Sequence, residues 1–201
     1  MQKIVPAILT ADPAQLKEQL GVLKGHSNWV HIDIMDGKFV PNTSISLFEL
    51  GEAAQLFNLE IHLMVADPER YFEDCAAISA KRVICHWEAK PNLSGDHPFQ
   101  KGIALNPETE IPLFEIEPSS ILLMSVHPGF QGQEFVPSVL EKVKQVREKF
   151  PEMLVGMDGA LGEKNIKQAF EAGINYAVVG SKIVKAENPA QVLKSLEEMV
   201  E

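Results

Sequence analysis

Short apolar runs alternating with longer amphipathic segments from end to end predict an α/β fold, a single (β/α)8 TIM barrel domain spanning residues 1–201. Three observations carry that expectation. Eight strand–helix repeats fit within 201 residues, the first strand–helix turn LTADPAQ contains no glycine, and no composition shift or Pro/Ser-rich linker marks a domain boundary. An open doubly wound sheet is the competing fold, but it usually has fewer strands and a glycine-rich first turn.

The predicted strands are Lys3–Leu9, Trp29–Met35, Leu59–Val65, Arg82–His86, Gly102–Leu105, Ser120–Val126, Leu154–Asp158 and Tyr176–Gly180. The predicted helices are Pro13–Lys24, Ser44–Leu56, Pro68–Ala77, a weak piece near Asp96–Gln100, Ile111–Glu115, Pro137–Phe150, Glu163–Glu171 and Pro189–Met199. The rhythm weakens at Lys90–Lys101, where PNLSGDHPFQ puts turn formers in place of a fourth helix. A loop or one helical turn is expected there, behind a thinner outer wall.

The second strand, in WVHIDIMDGKFVPN, organises the rest. Val30, Ile32 and Ile34 alternate with His31, Asp33 and Met35, and a period of two sends the two sets to opposite faces. A half-buried surface strand would alternate in the same way, but its polar face usually carries Lys, Glu or Thr. Asp36-Gly37 breaks the strand, so His31 and Asp33 lie near its C-terminal end, where parallel α/β folds build their sites.

Composition narrows the partners. The chain is 45% hydrophobic and 23% charged, which is ordinary for a soluble globular protein. A net charge of -10 and a pI near 5.1, with no basic stripe, argue against nucleic acid. A phosphorylated ligand would therefore be held by local backbone N–H groups against the overall field. Cys75 and Cys85 offer neither a disulfide framework nor zinc spacing and read as small buried hydrophobes of a reducing cytoplasm. The start MQKIVPAILTAD reads as neither a secretory signal nor a membrane span, and no other run approaches a span's length.

Chemistry emerges when the strand ends are taken together. The second strand offers His31, Asp33 and Met35, the third offers His62 and Met64 at the same spacing, and the seventh ends at Asp158. Two imidazoles and two carboxylates suit a divalent transition metal with positions open for substrate oxygens. One such histidine alone would more often be a satisfied core residue. Carboxylates on different strands, here Asp33 and Asp158, also permit proton removal on one face of a carbon acid and return on the other, which is the geometry of epimerisation. A metal on the carbonyl and neighbouring hydroxyl would stabilise the enediolate. Met35, Met64 and Met124 either fill the core or line the mouth over a planar intermediate. His86 ends the fourth strand with its role open between packing, support and substrate contact.

Glycine loops follow the last three strands: VHPGFQGQEF, MDGALG and VVGSKIV. Gly129, Gly132, Gly159 and Gly180 would let backbone N–H groups approach an anion, although each glycine is also an ordinary turn former. Barrels commonly hold phosphate at the last two loops, and Gly180-Ser181 could open a short helix there.

The runs HIDIMDGKFVPN, IHLMVADPERY, ALNPET, VHPGFQGQEF, MDGALGEKNI and VVGSKIV resemble, in order and across nearly the whole chain, the ribulose-phosphate 3-epimerase family. The resemblance implies a (β/α)8 barrel that interconverts D-ribulose 5-phosphate and D-xylulose 5-phosphate in the pentose phosphate pathway. It implies one divalent metal ion (Zn, Fe, Mn or Co) held by His31, Asp33, His62 and Asp158, with Asp33 and Asp158 as the acid/base pair. It further implies that Met35, Met64 and Met124 cap the intermediate. The loop Gly129, Phe130, Gln131 and Gly132, the Gly159-Ala160 turn and the Gly180-Ser181 turn would bind substrate and hold its phosphate. Members commonly form homo-oligomers, which is the expectation here.

Departures surround the ligands and leave all four intact. PSILSAD is here PAILTAD, placing Ala7 where the family has serine; VNPGFGGQ is VHPGFQGQ, with His127 and Gln131; and a glycine pair has become Gly159-Ala160. They keep two further readings open: an epimerase for D-allulose 6-phosphate, and a non-catalytic phosphate-binding barrel. Retention of Asp33 and Asp158 counts against the second. Related lyases usually carry Asp-x-Lys-x-x-Asp, whereas this chain reads Asp33-Ile34-Met35-Asp36 with no such lysine.

Overall fold

In the computed structural model, which describes residues 2–130 and 132–201, eight strands close into a parallel barrel in sequence order. They are β1 (Ile4–Ile8), β2 (Trp29–Met35), β3 (Asn58–Met64), β4 (Arg82–His86), β5 (Gln100–Leu105), β6 (Ser120–Met124), β7 (Leu154–Asp158) and β8 (Tyr176–Val179). The alternation on β2 is realised as predicted: Val30, Ile32 and Ile34 join the outer core with Leu16, Leu23, Leu47 and Leu50. His31, Asp33 and Met35 take the opposite face and pair in register with Glu60, His62 and Met64 of β3, so two inward rows rise in step toward the C-terminal mouth. Val5, Ala7, Ile84, Ala104, Leu122, Met124, Tyr176 and Val178 form a second apolar cluster along the barrel axis.

The helices are α1 (Pro13–Leu23), α2 (Phe72–Ala77), α3 (Val139–Lys149), α4 (Ile166–Ala172), α5 (Ser181–Val184) and α6 (Pro189–Glu198). Asp12 starts α1 by accepting from the Ala14 N–H at 2.8 Å, a cap worth about 1 kcal/mol, with Pro13 preset for the first turn. Both cysteines are buried and unpaired, as expected.

The outer wall departs from expectation on one side. Ser44–Leu56 is not an α-helix but two 3-10 turns, Leu47–Leu50 and Ala53–Gln55. The buried residues of the two turns, Leu47, Leu50 and Ala53, recur every three positions, which suits three residues per turn. Pro68–Ala77 begins as a 3-10 turn, Pro68–Tyr71, before α2. Asp96–Gln100 and Ile111–Glu115 are non-helical: Pro98 and Pro112 disfavour helical backbone at the residue before each, and Gln100 pairs with Arg82 at the start of β5. Residues 90–99 are accordingly a loop leading into β5, whose first two residues are Gln100 and Lys101. With no helix after β5, Lys142 of α3 anchors that connection, its Nζ donating to the carbonyls of Asn106, Pro107 and Thr109 at 2.7, 2.6 and 2.7 Å. Among the described residues no helix is long and apolar enough to cross a membrane.

Candidate active site

At the C-terminal ends of β2, β3 and β7 the side chains of His31, Asp33, His62 and Asp158 converge, with one ligand atom from each within 4.8 Å of every other. Asp33 Oδ1 lies 3.2 Å from His31 Nε2 and 3.0 Å from His62 Nδ1; Asp158 Oδ2 lies 3.9 and 3.8 Å from the same nitrogens. Metal–ligand bonds of about 2.0–2.1 Å in tetrahedral array separate ligand atoms by about 3.3 Å, so these spacings suit a transition-metal ion.

The hydrogen-bond partners behind the histidines assign their protons. Glu60 Oε1 lies 2.7 Å from His31 Nδ1, and an ionised carboxylate only accepts, so Nδ1 carries the hydrogen and Nε2 is bare. Glu88 Oε2 lies 3.2 Å from His86 Nδ1, which must then donate. His86 Nε2 therefore accepts from His62 Nε2–H at 2.9 Å, and His62 Nδ1 is left bare. Two bare imidazole nitrogens and two carboxylate oxygens thus face one another with no donor among them. Such a donor set calls for a cation, and the four residues fit one.

Without a cation, protons fill the same role. Burial alone would lower the pKa of His31, yet Asp33 and Glu60 hold it well above the ordinary imidazole range. Burial also opposes ionisation of Asp33, but the adjacent His31 and His62 imidazoles keep its carboxyl well below the usual carboxylate range. Asp158 goes the other way: burial, assisted by the charges of Asp33 and Glu60 and opposed by His31, pushes it up to about 7. In the cation-free cluster the two carboxyls are thus driven apart.

A cavity of about 130 Å³ opens above the cluster, sized for a small metabolite. It is lined by Asp33 and Asp158, by Met35, Met64 and Met124, and by Gly129, Phe130, Gly132, Gly159, Ala160, Gly180 and Ser181. The structure therefore brings together the candidate substrate-binding residues read from the sequence; Gln131 lies outside the described residues. His31 and His62 sit fully buried beneath the floor. No Lys or Arg lines the cavity among the described residues, and His127 is its one side chain able to carry positive charge. His127 meets the exposed Glu108 at 3.4 Å. Gly180 caps the short helix α5, as the sequence allowed. At the β7 turn, Gly159 has φ +126 and a Cβ there would strike Val126, while Ala160 holds a left-handed φ of 50.

Several supporting residues escaped the sequence reading. Ser125 ties the β6 and β7 ends, its N–H donating to Asp158 O at 2.6 Å and its hydroxyl to Gly159 O at 2.6 Å. Glu60, Arg82 and Tyr176 stand behind His31, and Glu88 behind His86. Signals existed: Glu60 shares the inward alternation of His62 and Met64, and Glu88 follows His86 at a two-residue spacing. His86 proves to be a support for His62, flanked by Phe39 at a centroid distance of 4.8 Å.

Comparison with known proteins agrees with this geometry. Residues 3–184 match the model of the ribulose-phosphate 3 epimerase family. The ribulose-phosphate 3-epimerase of Schizosaccharomyces pombe is 35% identical over 213 residues, covering 98% of this chain and 93% of the relative. That of Mycobacterium tuberculosis is 37% identical over 208 residues, covering 96% and 90%. The cytoplasmic isoform of rice is 35% identical over 216 residues, covering 99% and 94%. Among solved structures, orotidine 5'-phosphate decarboxylase from Pyrococcus horikoshii superposes with a TM-score of 0.64 at 17% identity, covering 98% of each chain. Thiamine phosphate pyrophosphorylase from Pyrococcus furiosus gives 0.63 at 17% identity, covering 99% and 95%; these two likenesses speak to the fold alone. With a family model spanning nearly the whole chain and full-length relatives above a third identical, this chain belongs to the ribulose-phosphate 3-epimerase family.

Proposed function

We propose that this chain interconverts D-ribulose 5-phosphate and D-xylulose 5-phosphate by moving the proton at C3 between Asp33 and Asp158. The observation that carries this is their disposition: both flank one cation-shaped cluster and both reach the cavity. His31, Asp33, His62 and Asp158 would hold one divalent ion, Zn²⁺, Fe²⁺, Mn²⁺ or Co²⁺. When bound, it supplies electrostatic stabilisation for the negative charge that builds on the ketose oxygens.

The chain's own residues do the rest. Asp33 turns Oδ1 toward both histidines, leaving Oδ2 to take the C3 proton on one face. Dividing ligation and proton transfer between two oxygens preserves basicity that a fully coordinated carboxylate would lose. Asp158, reaching the same cavity from β7, returns a proton on the opposite face, and the roles exchange in reverse. Met35, Met64 and Met124 exclude water above the planar intermediate. Backbone N–H groups at Gly129, Gly132, Gly159-Ala160 and Gly180-Ser181 hold the phosphate, since no Lys or Arg lines the cavity among the described residues.

A coupled assay of the metal-loaded chain tests this, with D-allulose 6-phosphate as the competing substrate because Ala7 presents only a methyl group to the cavity. Asp158→Asn should slow epimerisation by about 10²- to 10⁴-fold while sparing phosphate affinity. Retained turnover would remove Asp158 from the acid/base pair; faster turnover of the hexulose would transfer the assignment to that sugar. In this proposal residues 1–201 work as one domain, in a cytoplasmic homo-oligomer, which light scattering can verify.

A further inference from the structure

Beneath the candidate metal ligands, on the barrel axis, lies a charged network where barrels ordinarily pack aliphatic layers. Glu60 of β3 is fully buried. Its Oε1 accepts from His31 Nδ1–H at 2.7 Å, and its Oε2 accepts from Arg82 Nη1 and, at 3.0 Å, from the Tyr176 hydroxyl. Arg82 comes from β4 with its guanidinium between two rings, 5.1 Å from the Trp29 centroid and 5.2 Å from that of Tyr176. Tyr176 reaches in from β8, and its ring passes over Gly156 of β7, where any Cβ would collide with the phenol. Strands β2, β3, β4, β7 and β8 therefore all contribute to one arrangement.

Stability does not account for it. Buried ion pairs cost desolvation, and well-packed apolar residues of similar volume are often as stable or more so. What the network does possess is a single-sided grip: both Glu60 oxygens are assigned, one to two fixed donors and one to His31. A carboxylate behind a ligating histidine fixes its tautomer and raises its donor strength.

We propose that Glu60, Arg82 and Tyr176 are positioning residues that hold His31 with Nε2 toward the divalent cation and thereby set the affinity of the site for that ion. Arg82 and Tyr176 act through Glu60: they neutralise and orient it, so that its free oxygen has only one geometry in which to accept from His31. Gly156 provides the space that lets Tyr176 reach it. The proposal rests on the metal reading of His31, Asp33, His62 and Asp158.

The test is equilibrium competition for Zn²⁺ against a chelator, on the purified chain without substrate, with the visible spectrum of the Co²⁺-loaded protein as a second readout. Glu60→Gln and the double variant Glu60→Gln/Arg82→Met, which removes both buried charges, should each weaken Zn²⁺ binding by about 10- to 100-fold. Tyr176→Phe keeps the ring and loses the hydroxyl; it should weaken binding by a smaller factor and shift the Co²⁺ bands, as should Gly156→Ala. Val143→Ala, in the outer core on α3 away from the network, should lower the melting temperature and leave affinity unchanged. Wild-type affinity in the folded double variant would overturn the proposal. If neither Glu60 variant folds, an unchanged Kd and unchanged Co²⁺ spectrum in Tyr176→Phe would overturn it equally. Failure of the wild type to bind either ion would overturn the metal reading and this inference with it.

Discussion

His31 and His62 both turn a bare ring nitrogen toward Asp33, but what stands behind them differs. Behind His31 the support is immediate and buried: one carboxylate, Glu60, neutralised by Arg82 and braced by Tyr176. Behind His62 a second imidazole, His86, intervenes, and the carboxylate that ends the relay, Glu88, sits at the rim of the barrel. Glu88 is held there by the β5 connection, accepting from the Asn106 N–H at 3.0 Å and from the Thr109 hydroxyl. One support is made of strands and register; the other depends on a loop that Lys142 anchors from a distant helix. Burial makes the first costly to break and the second sensitive to protons.

Arg82→Met should show the larger effect. It strands a buried carboxylate, and loss of one partner of a buried pair costs about 3–5 kcal/mol, readable from denaturant unfolding. A loss near 0.5 kcal/mol would mean that Glu60 takes up a proton at little cost and that the first support is not charge-based.

Acid titration of the metal-free chain comes next. Burial, with the charge of His62 adding to it, lowers His86 from 6.5 to about 4 despite its bond to Glu88. The unfolded chain therefore binds this proton below pH 6.5 while the folded chain resists until about pH 4, so stability falls as pH falls through that window. The full loss is about 3 kcal/mol, at about 1.4 kcal/mol for each pH unit. Glu88, lowered from 4.5 to about 2, adds a further loss as pH falls below 4.5. His31 has the opposite sign: its raised pKa contributes stability present below pH 6.5 and lost as pH rises. Replacing His86 with Asn should flatten the acid limb; an unaltered limb would place the acid sensitivity elsewhere.

The smallest effect lies outside both supports. Ala160→Gly relieves left-handed strain of about 1–2 kcal/mol against a chain-entropy cost of about 0.4–1, for a net gain of about 0.5–1 kcal/mol. Thermal unfolding reads it, and a net destabilisation would show that Ala160 contributes contacts exceeding its strain.

Much of this molecule is legible in the chain because a barrel strand writes its two faces in alternate letters. WVHIDIM, RVICH and LVGMD occupy β2, β4 and β7 with the bounds the pattern predicts, and the candidate ligands could be found by reading strand ends together. The outer wall was less legible where helices shorten. Ser44–Leu56 carries enough apolar residues to read as a helix, although the three-residue spacing of Leu47, Leu50 and Ala53 already suits 3-10 turns. Pro112 within Ile111–Glu115 disfavours helical backbone at the residue before it. The supports were hidden for a different reason. Tyr176 and Glu60 are 116 positions apart and meet only because a closed barrel brings β8 across from β3. Tautomers, too, are decided by partners in three dimensions and leave no trace in one.

The proposed epimerisation requires proton transfer at C3 by two carboxylates on opposite faces. Nuclear magnetic resonance of D-ribulose 5-phosphate in D₂O, incubated with chain loaded in turn with Zn²⁺, Fe²⁺, Mn²⁺ or Co²⁺, observes it directly. The wild type should replace the C3 proton with deuterium in both D-ribulose 5-phosphate and newly formed D-xylulose 5-phosphate. Retention of the C3 proton under every metal would contradict the account.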